Sequence, residues 1–252
     1  MSEPLPLSVL VITKNEAHNI ADCLASVSFA AEILVVDSGS QDQTRELARS
    51  FGARVVEHPF ESAARQRNWA LPLLRHDWCL VLDADERVTP ELALEIQARV
   101  LSDGPADGYT LHRRSFFLGT PIRYSGWGRD RVLRLFRRAR GRYDDALVHE
   151  SLKLTGARGE LQAPLLHYTY RTLDDYLAKM QDYTARGAAD LRARGQRTTL
   201  LTLLVRPPAR FLRMYVLQRG YRDGVAGLVL CLLTAYSVWL KYAQRWEAPD
   251  GA

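Results

Sequence analysis

The chain has 252 residues, of which 47% are hydrophobic and 25% charged, with a formal net charge of +5. This length and apolar content fit one large domain, or one domain with an appended segment, and exclude a disordered chain. Cys23, Cys79 and Cys231 lie far apart without metal-type spacing, and two fall in apolar runs, so buried free thiols in a reducing compartment are expected. The opening Met1-Ser-Glu-Pro-Leu-Pro lacks the basic n-region and cleavage site of a secretory signal.

Charge is unevenly placed. Residues 1–110 carry 9 Lys/Arg against 17 Asp/Glu, residues 111–150 carry 10 against 4, and residues 151–252 carry 15 against 8. An acidic front joined to a basic rear points to a negatively charged partner: phosphate, a membrane surface or nucleic acid.

Leu7 to Thr13 reads as a buried strand ending in Lys14-Asn15-Glu16, followed by a helical segment from about Asn19 to Ser26. Ile33 to Val36 is a second strand, closed by Asp37-Ser-Gly-Ser. Ser40 and Gln43 have capping-box spacing, which predicts a helix from Gln41 to Phe51, with Gly52 as its C-cap. Ala53 to Glu57 is a third strand and Ser62 to Leu74 a helix. Trp78 to Leu82 is a fourth strand, and Pro90 to Leu101 a helix with proline in its first turn. Strands alternating with helices of this length predict βαβ units and a parallel, doubly wound sheet.

In such sheets ligands bind at the carboxyl ends of strands. Three strand ends here are polar: Thr13 to Glu16, Asp37, and Asp83-Ala-Asp-Glu86. Placed along one edge they would form a binding crevice. Asp83 and Asp85, one residue apart, can share a divalent cation, which takes hard oxygen ligands and often keeps substrate phosphates among them. An acidic, solvated turn after a core strand would read the same in isolation.

After Leu101 the pattern changes. Gly108 to Arg114 is a candidate strand, and Val132 to Arg137 alternates. Ten basic residues between Arg113 and Arg142 are interleaved with aromatics, including Phe116, Tyr124, Trp127 and Phe136. Such mixtures suit single-stranded nucleic acid, but also sugars and phosphates, and a solvated strand face explains any single arginine equally well. Val148-His149-Glu150 sets a histidine beside a carboxylate. Leu173 to Arg194 is an amphipathic helix. Leu200 to Val205 is apolar, Pro207-Pro208 is expected to break it, and Gly224 to Leu240 gives 17 residues without charge, flanked by Arg222 and Lys241. That length is at the lower limit for spanning a bilayer, and the basic and aromatic flanks suit an interfacial or re-entrant anchor on an anionic leaflet. The alternative is a hairpin packed on the core or against a second copy of the chain.

Val11-Ile-Thr-Lys-Asn-Glu16, Val35-Val-Asp-Ser-Gly-Ser-Gln-Asp42, Gln66-Arg-Asn68 and Leu82-Asp-Ala-Asp-Glu86 together resemble, in order and spacing, the family 2 glycosyltransferases with the GT-A fold. The stretches Trp127 to Phe136, Val148-His-Glu150 and Tyr221-Arg-Asp-Gly224 look like one branch, the lipopolysaccharide-core glucosyltransferase-like proteins. The resemblance is specific over residues 7–150 and looser to about 246. It implies a GT-A domain over 1–170 for nucleotide sugar and acceptor, with a helical region over 171–252 for membrane-surface or oligomer contact.

By position, the resemblance implies that Thr13, Glu16 and Asp37 contact the donor nucleoside, with Arg67 near the base or diphosphate and Asp83 facing the ribose or metal. Asp85 would ligate Mg²⁺ or Mn²⁺ on the diphosphate. His149 is a further metal or diphosphate ligand, or orients Glu150. Relatives often place the general base in a Glu-Asp pair; none follows residue 86, and Glu150 is the substitute. Trp127 and Arg129 are the acceptor-binding candidates. The Gln-x-x-Arg-Trp motif of processive members is absent, since Gln244-Arg-Trp246 lacks its spacing, so one sugar per encounter is expected. The leading expectation is an inverting transfer of a hexose from a UDP- or GDP-sugar to a saccharide or lipid-linked acceptor, at the cytoplasmic face of the inner membrane, with no nucleic acid. A polyprenyl-phosphate acceptor is the second enzymatic reading, and a catalytically idle scaffold binding RNA or membrane is the reading from another class.

Overall fold

The computed structural model describes residues 4–102, 105–144 and 151–247. His149 and Glu150 lie outside the described residues. The chain divides into two compact units, one of residues Met1–Arg113 and Arg131–His167, the other of Arg114–Asp130 and Tyr168–Ala252.

The first unit is built on β1 (Leu5–Thr13), β2 (Ala30–Asp37), β3 (Arg54–Glu57), β4 (Trp78–Asp83) and β5 (Glu86–Val88), with β6 (Gly108–Phe117), β8 (Arg131–Arg137) and β11 (Arg158–Tyr170) completing the sheet. Its order is β3-β2-β1-β4-β8-β6-β11-β5, and β9 (Gly141–Tyr143) and β10 (Leu152–Leu154) pair antiparallel as a separate sheet. The first four strands are parallel, as the βαβ alternation predicts. Beyond β4 the pairing turns antiparallel, so the sheet is mixed.

Alternation of side chains across the pleat explains the unbroken apolar runs. Leu7, Val9, Val11, Leu80 and Leu82 enter one core, with Ile20 and Cys23 of α1 (Ala17–Ala25) and Leu92 and Ile96 of α4 (Pro90–Leu101). Leu10, Leu34, Val36, Cys79 and Val81 enter the opposite one, against Ala64 and Ala70 of α3 (Ala63–Ala70). All three cysteines are free and buried.

Helix α4 has the bounds expected from the sequence, and the structure adds its cap: Thr89 Oγ1 accepts from Leu92 N at 3.2 Å. The capping box expected at Ser40 and Gln43 does not form. Helix α2 starts at Thr44 and ends at Ser50, without a side-chain cap. Its would-be cap is used elsewhere: Ser40 Oγ donates to Asp37 Oδ2 and accepts from Asn15 N at 2.8 Å. Gly52 adopts φ +79°, the left-handed conformation that suits a C-cap glycine.

In the second unit β6 ends in a hairpin with β7 (Thr120–Pro121), and α5 (Leu173–Ala193), α6 (Leu200–Leu212) and α7 (Gly224–Glu247) supply the helices. Phe117, Ile122, Tyr176, Met180, Met214, Leu230 and Cys231 form its core. The expected break at Pro207-Pro208 does not occur: α6 runs through both. Proline forfeits its hydrogen bond but keeps a helical φ. Burial of Pro207 and the Thr199–Thr202 capping box hold the segment together, and a π-helical turn over Arg213–Leu217 follows.

Candidate active site

Strand register brings the polar strand ends level. Thr13 pairs with Asp37 across β1 and β2, and Ile12 pairs with Asp83 across β1 and β4. The loops after β1 and β2 are stitched together. Gln41 N donates to Asn15 Oδ1 at 2.8 Å, Glu16 N to Thr44 Oγ1 at 2.8 Å, and Ala17 N to Asp42 Oδ2 at 3.0 Å. Asn15 sits at φ 56°, a left-handed conformation that asparagine tolerates better than most residues. Asp37 is fully buried; its Oδ1 accepts from Gly39 N at 3.0 Å and Ser40 N at 2.8 Å. Glu16 accepts from Asn19 Nδ2 at 2.7 Å. The buried Thr13 hydroxyl has no hydrogen-bond partner among the described residues.

At the end of β4 the carboxylates separate into two kinds. Asp83 is neutralised: Arg67 Nη2 meets its Oδ1 and Arg134 Nη2 its Oδ2, each at 2.5 Å. Burial raises its carboxyl, but Arg134 and Arg67 more than offset this and hold it well below the usual carboxylate range. Glu86 is fully buried, accepting from Asp83 N at 2.9 Å and Arg134 Nη2 at 2.8 Å, with Arg113 Nη1 at 3.3 Å. Arg67 also lies 5.2 Å over the Tyr143 ring, and burial pushes the Tyr143 phenol up to about 12.

Asp85 is different. Its Oδ2 lies 3.5 Å from His167 Nε2, because β11 pairs His167 with Glu86, while its buried Oδ1 has no hydrogen-bond partner among the described residues. Buried oxygens without partners are rare and costly. No cluster of three or more His, Cys, Asp or Glu side chains that could hold a cation occurs among the described residues. One carboxylate with open lone pairs nevertheless suits Mg²⁺, which usually keeps waters and substrate phosphates as its other ligands. The donor set therefore fits a cation held jointly with a diphosphate.

Of the sequence-expected residues, Thr13, Asp37, Asp83 and Arg67 are joined by strand register or direct contact, and Glu16 and Asp85 sit on the loops that extend from them. Trp127 and Arg129 belong to the second unit. Trp127 packs edge-on to Phe117 with ring centroids 6.4 Å apart, and Arg129 is exposed on the same loop. Asp223 Oδ2 ties that loop down, accepting from Tyr124 N at 3.0 Å and Ser125 Oγ at 3.1 Å. Arg134, His167 and Asp223 escaped the sequence reading. Arg134 was one of many arginines in an alternating strand, and only Asp223 had a signal, its place in Tyr221-Arg-Asp-Gly224.

The model of the family described as Glycosyl transferase family 2 matches residues 8–153. The chain is 30% identical over 254 residues to the lipopolysaccharide core biosynthesis glycosyltransferase LpsC of Rhizobium meliloti (strain 1021), covering 98% of this chain and 94% of LpsC. It is 26% identical to the uncharacterized glycosyltransferase RP128 of Rickettsia prowazekii (strain Madrid E), covering 94% and 86%. Among solved structures, glucosyl-3-phosphoglycerate synthase from Mycobacterium tuberculosis, in complex with Mn²⁺, UDP and glucosyl-3-phosphoglycerate, is 24% identical with a TM-score of 0.37, over 44% of this chain and 43% of that one. The chain belongs to glycosyl transferase family 2, in its LpsC-like branch.

Proposed function

We propose that this glycosyltransferase moves a hexose from a UDP- or GDP-sugar to a saccharide or lipid-linked acceptor with inversion, using Mg²⁺ or Mn²⁺. The observation that carries the reading is the buried Oδ1 of Asp85, which has no hydrogen-bond partner among the described residues, two positions beyond an aspartate already neutralised by two arginines. With Asp83 occupied, Asp85 is the carboxylate available to a cation, and His167 stands beside it. A bound Mg²⁺ or Mn²⁺ would act as a Lewis acid on the nucleoside diphosphate leaving group. The chain's own residues do the rest. Thr13, Glu16 and Asp37, at and beyond the level strand ends, are assigned to the nucleoside, and Arg67, which binds Asp83, is assigned to the base or diphosphate. Inversion requires direct attack by an acceptor hydroxyl, whose proton needs a base within hydrogen-bond reach. Glu150 is assigned that role and His149 the part of a ligand or of its orienter; both lie outside the described residues. Trp127 and Arg129 are assigned to the acceptor.

The name of LpsC supports a lipopolysaccharide inner core as the acceptor, and a phosphorylated core would suit the basic rear half through bidentate arginine contacts. The enzyme would then work from the cytoplasm, peripheral or monotopic on the inner membrane, with the helical region from 171 onward as its membrane-facing part. A thermal-shift screen of UDP-, GDP- and CMP-sugars with and without Mn²⁺ tests the donor reading, because a ligand binding only the folded state raises its apparent stability. A Mn²⁺-dependent shift with one nucleotide class is expected; no shift with any sugar nucleotide would overturn the reading.

A further inference from the structure

Helix α6, read through its prolines as one continuous element, has two unlike faces. Leu200, Leu201, Leu204, Val205 and Leu212 recur at i, i+1, i+4, i+5 and i+12 and share one side; Leu200, Leu201 and Leu204 are 77%, 70% and 69% exposed. Arg206, Arg210 and Arg213 project from the opposite side, and Pro207 is buried between the two faces. The helix is fixed along α7. Thr198 Oγ1 donates to Tyr242 O at 3.0 Å, Arg245 Nε donates to Gln196 O at 3.0 Å, and the Arg206 guanidinium lies 5.1 Å from the Tyr242 ring centroid. Val216 and Leu217 in the turn that follows are also exposed.

Leucines exposed to this degree on one side of a helix are an unfinished interface. Charge selects what completes it. From Gln196 to Arg222 the chain carries six arginines and no acidic residue, so a second copy laid face to face would meet its own charge, whereas an anionic bilayer would attract it. At 13 residues with two arginines, α6 is too short and too polar to span a bilayer. Its two opposed faces are those of a helix lying in the membrane surface. Helix α7 is long and apolar enough to cross a membrane. Yet α5 packs along it, with Gly187 against Lys241, and α5 turns Asp182, Arg186 and Asp190 to solvent. Such a charged outer face does not enter hydrocarbon.

We infer that α6 and the turn after it dock in the plane of an anionic lipid surface, with Leu200, Leu201, Leu204 and Val205 inserted among the acyl chains. This deepens the membrane partner of the proposed function and rests on that reading. It moves the lipid contact from the uncharged run Gly224–Leu240 to a segment whose two prolines predict a break from sequence alone.

The test is co-sedimentation of the full chain with phosphatidylcholine vesicles, with and without phosphatidylglycerol, at low and high salt. Binding is expected only with phosphatidylglycerol, weakened by salt, and reduced by about tenfold or more in a Leu201→Glu/Leu204→Glu double variant. Leu94→Glu, on an exposed site of α4, should bind like the wild type. Wild-type vesicle binding by the double variant would overturn the inference. So would a change in the double variant from dimer to monomer with lipid binding intact, which would assign the leucines to a second copy. Donor hydrolysis without vesicles separates the two readings: its absence in the wild type counts against the enzyme and leaves lipid docking standing, while its retention in a variant that no longer sediments supports both.

Discussion

Arg134 reaches Asp83 at 2.5 Å and, through the same nitrogen, Glu86 at 2.8 Å. One guanidinium from an antiparallel strand thus binds two carboxylates at the end of β4. Removing one partner of a buried ion pair leaves an uncompensated charge, which costs far more than the pair itself contributes. Arg134→Leu should lower the unfolding free energy by about 3 kcal/mol or more, read from urea midpoints at constant m-value. A change under about 0.5 kcal/mol would mean that the pair is solvated, as surface pairs are.

The same contact predicts an acid limb of stability. The folded-state carboxyl of Asp83 lies below its unfolded value, so its stabilisation is complete above the unfolded value and is lost as pH falls toward the folded one. Stability should therefore decline below about pH 4, by up to ~1.4 kcal/mol per pH unit from this group. Urea unfolding at pH 5, 4 and 3 should show that slope in the wild type and a shallower one in Asp83→Asn, all three at roughly equal salt.

Tyr143 offers the opposite sign. Its phenol is buried and raised to about 12, and its hydroxyl has no hydrogen-bond partner among the described residues. A folded value above the unfolded one means that stability from this group is intact below about pH 10 and falls as pH rises toward 12. Tyr143→Phe should remove an unsatisfied polar group and leave neutral-pH stability unchanged or raised by about 1 kcal/mol. A loss above 1 kcal/mol would point to a partner for that hydroxyl.

Asp223 is a positioning residue for the loop of Tyr124 to Trp127. With the acceptor role proposed for this loop, Asp223→Ala should raise the acceptor KM about tenfold or more by loosening it, while Mn²⁺-dependent donor hydrolysis in the absence of acceptor stays near wild type. Equal losses in both reactions would show that the substitution merely unfolds the second unit. Gly128 needs the same care, because a Cβ there would come within 1.7 Å of Arg123 O, so Gly128→Ala should disrupt this loop.

What could be read from sequence follows the range of the interactions involved. Helix α4 was legible to the residue because its proline and apolar period both lie within twelve positions. The polar ends of β1, β2 and β4 were legible because each follows directly from an apolar run. Ser40 misled because its hydroxyl had a long-range use: it accepts from Asn15 N, 25 residues earlier, in preference to capping α2. Pro207 misled because tertiary burial outweighed a local propensity. Arg134 and His167 were invisible for a topological reason. They come from β8 and β11, which join the sheet antiparallel, out of the βαβ order that the early sequence establishes, and in β8 an alternating arginine strand looks like a solvated face.

Glu150→Gln addresses the acceptor rather than the donor. With a hydroxyl acceptor, transfer should fall about 100-fold or more while UDP- or GDP-sugar binding is kept. A nearly silent substitution would indicate an acceptor that is already ionised, as a polyprenyl phosphate is.

The most direct test of the cation site is the Mn²⁺ dependence of donor binding in Asp85→Ala, followed by isothermal titration of the nucleoside diphosphate. The wild type should bind more tightly with Mn²⁺ than without it. The variant, folded by its thermal melt, should bind equally weakly with or without the ion, because the carboxylate proposed to hold it is gone. A variant that keeps the wild-type gain on adding Mn²⁺ would contradict the assignment of Asp85.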